Sequence, residues 1–180
     1  MKTLSILAAF SIAAASQAAS VTFNLDGLGV YDVQNDPSNV VLSKNIGANS
    51  VVTGFSFDVN VTAFSPSYQS EIGFSLFNPN TYDGVSITLG VLGAPPTSGT
   101  GQYATNGTIP VDTIVFAAGN DGILNLELFD NFTDFPDDLD AVINSGTFTV
   151  HYETQAVPEP ASLAAFGLGG LALLRRRRKA

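Results

Sequence analysis

The chain has 180 residues, enough for one domain with short appendages, and no Cys, which excludes a disulfide scaffold and a thiolate metal site. Its single His rules out a multi-His metal centre, and 16 acidic against 7 basic residues argue against nucleic-acid binding, which needs a basic footprint. Hydrophobic residues make up 45% and charged residues 13%, a composition that buries a core rather than staying disordered.

The charge is unevenly placed. Lys2 stands at one end, and Arg175, Arg176, Arg177, Arg178 and Lys179 stand at the other. Between them, residues 19–156 carry fifteen acids and only Lys44, a formal charge of −14. Cationic ends next to apolar runs, around an acidic middle, indicate two targeting segments.

Residues 1–18 have the three parts of a secretory signal peptide. Lys2 supplies the positive start, Leu4 to Ala15 the apolar stretch, and Ser16-Gln17-Ala18 the small residues of a cleavage site after Ala18. Export through the Sec translocon and cutting by signal peptidase follow as expectations. An exported domain without Cys must be held by its core alone.

Period-two alternation dominates residues 19–156. Val21, Phe23 and Leu25 suggest a first strand; Phe55, Phe57, Val59 and Val61 alternate with Ser56, Asp58, Asn60 and Thr62 in a long half-buried one. Ile72, Phe74 and Leu76 follow, then Val85, Ile87 and Leu89, then Ile114 with Phe116. Leu124, Leu126 and Leu128 alternate with Asn125 and Glu127, and Phe148, Val150 and Tyr152 with Thr149, His151 and Glu153. Asp26-Gly27, Asp83-Gly84 and Asn120-Asp121-Gly122 are turn signals, and residues 94–101, rich in Pro, Gly and Thr, are expected to be loop. No sustained 3.6-residue pattern and no internal repeat interrupts this. The expected fold is all-β: an antiparallel β-sandwich, jelly-roll-like, flanked by the signal peptide and a short C-terminal transmembrane helix.

Residues 157–180 form the second targeting segment. Val157-Pro158-Glu159-Pro160-Ala161 is held extended by its prolines. The uncharged run 161–174 would span about 21 Å as a helix, short of a hydrocarbon core of roughly 30 Å. The basic tail 175–179 could snorkel, and it fixes that end on the cytoplasmic side. In this order, the motif, the short Gly/Leu/Ala helix and the Arg cluster resemble a PEP-CTERM sorting signal. The resemblance implies recognition at Glu159 and its flanking prolines, cleavage by an exosortase-type membrane transpeptidase after transient anchoring in the membrane, and a Gram-negative-type envelope. It also implies association with exopolysaccharide, and so a place at the cell surface or in a biofilm matrix.

The middle is similar, in strand order, to the P domain of proprotein convertases. The similar segments are the long alternating strand at 54–62, Glu71-Ile72 entering the next strand, Gly84-Val85-Ser86-Ile87-Thr88-Leu89, and the closing run Ser145-Gly146-Thr147-Phe148-Thr149-Val150. It lacks that family's His after the first strand and any Trp before the last. The similarity supports a jelly roll and implies no proteolysis.

Candidate chemistry in the middle is sparse. His151 is the only imidazole, and strand parity turns it away from Phe148 and Val150; no nucleophile elbow accompanies it. Glu71, Glu127 and Glu153 are the available Glu residues, with Glu127 and Glu153 at outward strand positions, and no spacing sets two of them at a glycosidase separation. A non-enzyme is expected. Residues 130–140 carry Asp130, Asp134, Asp137, Asp138 and Asp140, a pool of oxygens suited to calcium, although the spacing is not that of an EF-hand. The other reading is a solvated acidic loop anchored by Phe132 and Phe135. Loop tyrosines could serve sugar binding, Tyr68 being the best placed; they could equally pin loops to the core. The domain is therefore either a structural or adhesive module associated with exopolysaccharide or a polysaccharide-binding module, with or without calcium. No other cofactor is implied.

Overall fold

The alternation of Phe55, Phe57, Val59 and Val61 places four large side chains on one face of a strand, and that face is the core. In the computed structural model, which describes residues 16–111, 116–134 and 138–154, all four are at most 4% exposed. Among the described residues the strands are β1 (Gln17–Asn24), β2 (Leu28–Val30), β3 (Val41–Asn45), β4 (Val51–Ala63), β5 (Gly73–Phe77), β6 (Gly84–Thr88), β7 (Gly99–Ala104), β8 (Ile109–Pro110), β9 (Phe116–Ala117), β10 (Ile123–Phe129) and β11 (Ala141–Thr154). A single 3-10 turn, Leu89–Leu92, follows β6.

The strands form two antiparallel sheets. The larger runs β1-β11-β4-β7, with β2 also on β11 and with β8 and β9 also on β4. The smaller runs β3-β10-β5-β6. Sequence-distant strands meet at the centre: β11 pairs with both β1 and β4, with Phe148 opposite Phe23 on one side and Phe57 on the other. The expected all-β sandwich is what the chain forms, and Gln17–Thr154 is one compact unit.

An aromatic quartet joins the sheets. Phe148 stacks on Phe55 at 5.2 Å and on Phe57 at 5.8 Å within the large sheet. Phe74 of the small sheet meets Phe57 at 5.1 Å and Phe148 at 5.5 Å with tilted rings. Such pairs each add about 0.5–1.5 kcal/mol beyond burial. Leu124, Leu126, Leu128, Leu76 and Ile72, each at most 1% exposed, fill the rest of the inner face of the small sheet and its edge.

Several local details depart from the sequence expectations. Residues 99–101, expected as loop, open β7, where Gly101 lies opposite Val61 and Thr100 opposite Thr62; pairing with a long central strand overrides weak local propensity. β2 and β3 carry no clear alternation; β3 is an edge strand whose residues are mostly exposed. A register shift at Ile143/Ser145 bulges β11. There Gly146 takes φ 150°, and a Cβ on it would lie 2.4 Å from the Asp58 carbonyl oxygen. Asp26 accepts a hydrogen bond from the Gly146 amide at 2.7 Å, tying the β1–β2 turn to the bulge.

Glu127 is not an exposed strand carboxylate, contrary to its outward parity. It is 1% exposed because the β2–β3 loop folds over the outer face of the small sheet. The Asn35 amide donates to Glu127 Oε1 at 2.6 Å and Asn39 Nδ2 donates to it at 2.9 Å. In the same loop Gln34 donates to Ser75 at 2.9 Å.

The expected signal peptide apart from its last residues, the expected strand residue Ile114, Phe135, Asp137, the sorting motif, the apolar run 161–174 and the basic tail lie outside the described residues. The expected cut after Ala18 falls inside β1, and Ala19, opposite Tyr152, would then be the first paired residue. Among the described residues no helix is long and apolar enough to cross a membrane.

Candidate functional site

The loops leaving β2, β4 and β10 converge at one end of the sandwich. The Phe64 amide donates to the Asp140 carbonyl at 2.8 Å, the Asp140 amide to Val30 at 2.9 Å, and the Asp130 amide to Asp32 at 3.0 Å. The Asn131 amide reaches the Glu71 carbonyl at 3.0 Å. Acids distant in sequence, Asp32, Glu71, Asp130, Asp134 and Asp140, are thereby drawn to the same end.

Two of them are deeply buried. Asp130 is 0% and Asp140 3% exposed, and the Oδ2 atom of each has no hydrogen-bond partner. Asp130 Oδ1 accepts from the Phe132 amide at 2.9 Å. Desolvation, with smaller repulsion from Asp140, Glu71 and Asp134, pushes Asp130 up to about 7. Desolvation likewise raises Asp140 to about 6, with repulsion from Asp134, Asp32 and Asp138 adding to it and a Ser67 hydrogen bond opposing it. An unpaired carboxylate in such a place holds its proton far above the ordinary carboxylate range.

The other acids are better served. Asp32, 5% exposed, accepts from the Val33 amide at 2.7 Å and from Thr133 Oγ1 at 2.5 Å. Asp134 accepts from Ser67 Oγ at 2.9 Å, and Glu71 from the Tyr68 amide at 2.9 Å. Asp138 is exposed. The 130–140 segment is thus not a uniformly solvated loop: it sends Asp130 and Asp140 inward. Phe132, expected as an anchor, is 59% exposed. Asp32 carries no sequence signal and Glu71 none that points to this end, because only long-range loop packing brings them here. Among the described residues no three Asp, Glu or His side chains already converge tightly enough to hold a metal.

Exposed apolar side chains belong to the same loops. Phe64 and Tyr68 are each 41% exposed, Leu139 43% and Phe132 59%. Tyr68 is therefore presented to solvent rather than pinned under a loop. Tyr82, 72% exposed, belongs to the opposite end of β5 and stacks on Phe77 at 6.0 Å. Tyr103 is half-buried and donates its hydroxyl to Gln69 Oε1 at 2.5 Å. His151 is half-buried on β11, opposite Ser20 and Gly54, far along the strand from Asp140.

Among solved structures, the chain is similar to dimeric latent PorU from Porphyromonas gingivalis, at 11% identity and a TM-score of 0.37, covering 78% of this chain and 13% of that one. It is also similar to Aeromonas sobria serine protease in complex with its chaperone, at 12% identity and a TM-score of 0.40, covering 78% and 28%. A third similarity is to the VP2 subviral particle of infectious bursal disease virus, at 14% identity and a TM-score of 0.38, covering 82% and 35%. The chain thus spans about a third or less of each of these proteins. No curated protein matches the sequence. The family model described as the PEP-CTERM protein-sorting motif matches residues 156–179, which begin directly after the described β-domain. The chain carries the PEP-CTERM sorting motif and is an exported protein targeted to an exosortase through a membrane-anchored intermediate.

Proposed function

We infer that the processed β-domain is a non-catalytic cell-surface or matrix module that contacts exopolysaccharide through its loop end. The observation carrying this is the exposure of Phe64, Tyr68 and Phe132 on loops that hydrogen-bond to one another's acid-bearing segments, on a chain that carries a PEP-CTERM sorting motif. Aromatic faces bury the apolar face of a sugar ring, while carboxylates and amides beside them bind hydroxyls. The domain's −14 charge repels anionic polymers, so the favoured ligand is a neutral polysaccharide.

The test is retention of the exported protein on the producer's own exopolysaccharide. Tyr68→Ala and Phe132→Ala should lose retention, and Tyr82→Ala, at the other end of β5, should keep it. Failure of the wild type to be retained, or equal retention of all three variants, would overturn the assignment. An inert structural module would show the first of these results.

A further inference from the structure

We propose that the carboxylates of Asp130 and Asp140 form a weak calcium site beneath the exposed loop end. The proposal concerns the same end of the sandwich but does not rest on sugar binding.

Two observations carry it together. The first is that the Oδ2 atoms of both side chains are fully buried and lack any hydrogen-bond partner; among the described residues the third such oxygen, Glu127 Oε2, stands alone under the β2–β3 loop, whereas these two belong to one end of the sandwich. Native proteins rarely leave a buried carboxylate oxygen unserved, because its desolvation costs several kcal/mol. The second is that no described residue offers a cation at this end. Lys44 and His151 are the only Lys, Arg or His among the described residues. Lys44 lies opposite Leu124, six residues or about 20 Å along the chain from Asp130. His151 lies opposite Ser20, more than about 30 Å along β11 from Asp140. Asp134 and Asp32, each already accepting a hydrogen bond, add further negative potential.

The charge must therefore be met by protons or by a metal ion from outside. Calcium suits the donor set: it takes six to eight oxygens, accepts carboxylates in one- or two-oxygen fashion, and fills the rest with hydroxyls, backbone carbonyls and water. Ser67 Oγ, which bonds Asp134 and acts on Asp140, is a neutral oxygen at this end. With only two orphaned carboxylate oxygens at this end and no three acids converging among the described residues, affinity should fall in the roughly 0.1–1 mM range of extracellular modules.

The experiment is a calcium chloride titration of the exported, processed protein after chelator treatment, read as melting temperature. The wild type should rise by about 5 °C at ten times the dissociation constant and fall back on chelation. Asp130→Asn and Asp140→Asn should each lose this response. They should also melt above the calcium-free wild type at pH 8, because the unmatched charge is gone; that gain separates loss of a ligand from a failure to fold. No rise with calcium up to 10 mM, or an undiminished rise in both variants, would overturn the site and leave protons as the compensating charge. Sugar retention is not read in this experiment, so failure of the calcium site and failure of sugar binding are told apart.

Discussion

Phe148→Ala is the perturbation that most directly tests how a Cys-free exported domain stays folded. Phe148 is 1% exposed and lies within 5.8 Å of three other Phe rings, two in its own sheet and one in the facing sheet. Truncation removes a buried ring and leaves a cavity where the sheets meet, at a cost of about 4 kcal/mol. The three ring pairs lost account for ~2 kcal/mol of this. A unit of this length unfolds with an entropy of about 0.3 kcal/mol per degree, so the melting temperature should fall by about 14 °C. Phe148→Leu keeps most of the apolar volume and should lose no more than about 1.5 kcal/mol. Phe64→Ala, at a 41% exposed position, should stay within about 0.5 kcal/mol of wild type. Calorimetric melting of the three variants measures the series. A loss below about 1.5 kcal/mol for Phe148→Ala would refute the quartet as the centre of the core.

Three further outcomes follow from the structure. With divalent cations removed, stability should fall as pH rises from about 4 to about 7, because native Asp130 and Asp140 keep protons that the unfolded chain releases near its ordinary carboxylate pKa. The loss should be complete above pH 8 and vanish below about pH 4; urea melts at pH 5 and pH 8 check it, and a domain more stable at pH 8 would contradict it. Gly146→Ala should cost about 1–3 kcal/mol in urea unfolding, since its positive φ and the 2.4 Å approach of a Cβ to the Asp58 carbonyl oxygen leave no room for a side chain. Glu127→Ala should cost about 1–3 kcal/mol by stranding the Asn35 amide and the Asn39 side chain, while Glu127→Gln, which still accepts both bonds, should cost less than half as much; equal losses would show that the acceptor oxygen is not what holds the loop.

Much of the fold was legible because alternation reports one buried face directly. Phe55 to Val61 and Leu124 to Leu128 read correctly, residue by residue, as inward-facing. The strands that escaped notice are those with little to bury: β3 is an exposed edge, and β7 begins in Gly and Thr residues whose partner, β4, lies some forty residues earlier. Sidedness failed at Glu127 because parity describes a bare sheet, whereas a distant loop covers this one. The candidate site was half legible. The Asp-rich run announced itself, and Tyr68 is exposed as a sugar contact requires. Yet nothing local distinguishes Asp130 and Asp140, which turn inward, from Asp138, which faces water. Burial there comes from backbone bonds to Asp32, Val30 and Phe64, three contacts that no window of sequence contains.

The sorting motif, by contrast, is read from consecutive residues and needs no tertiary contact to be recognised. Its fate is the most direct test of the whole account. The intact mass of the protein recovered from producing cells, with its terminal peptides sequenced, should show a chain starting at Ala19 and ending at or near residues 158–161, without Arg175, Arg176, Arg177, Arg178 and Lys179. A recovered protein that keeps the basic tail would contradict exosortase processing and make the segment a lasting anchor.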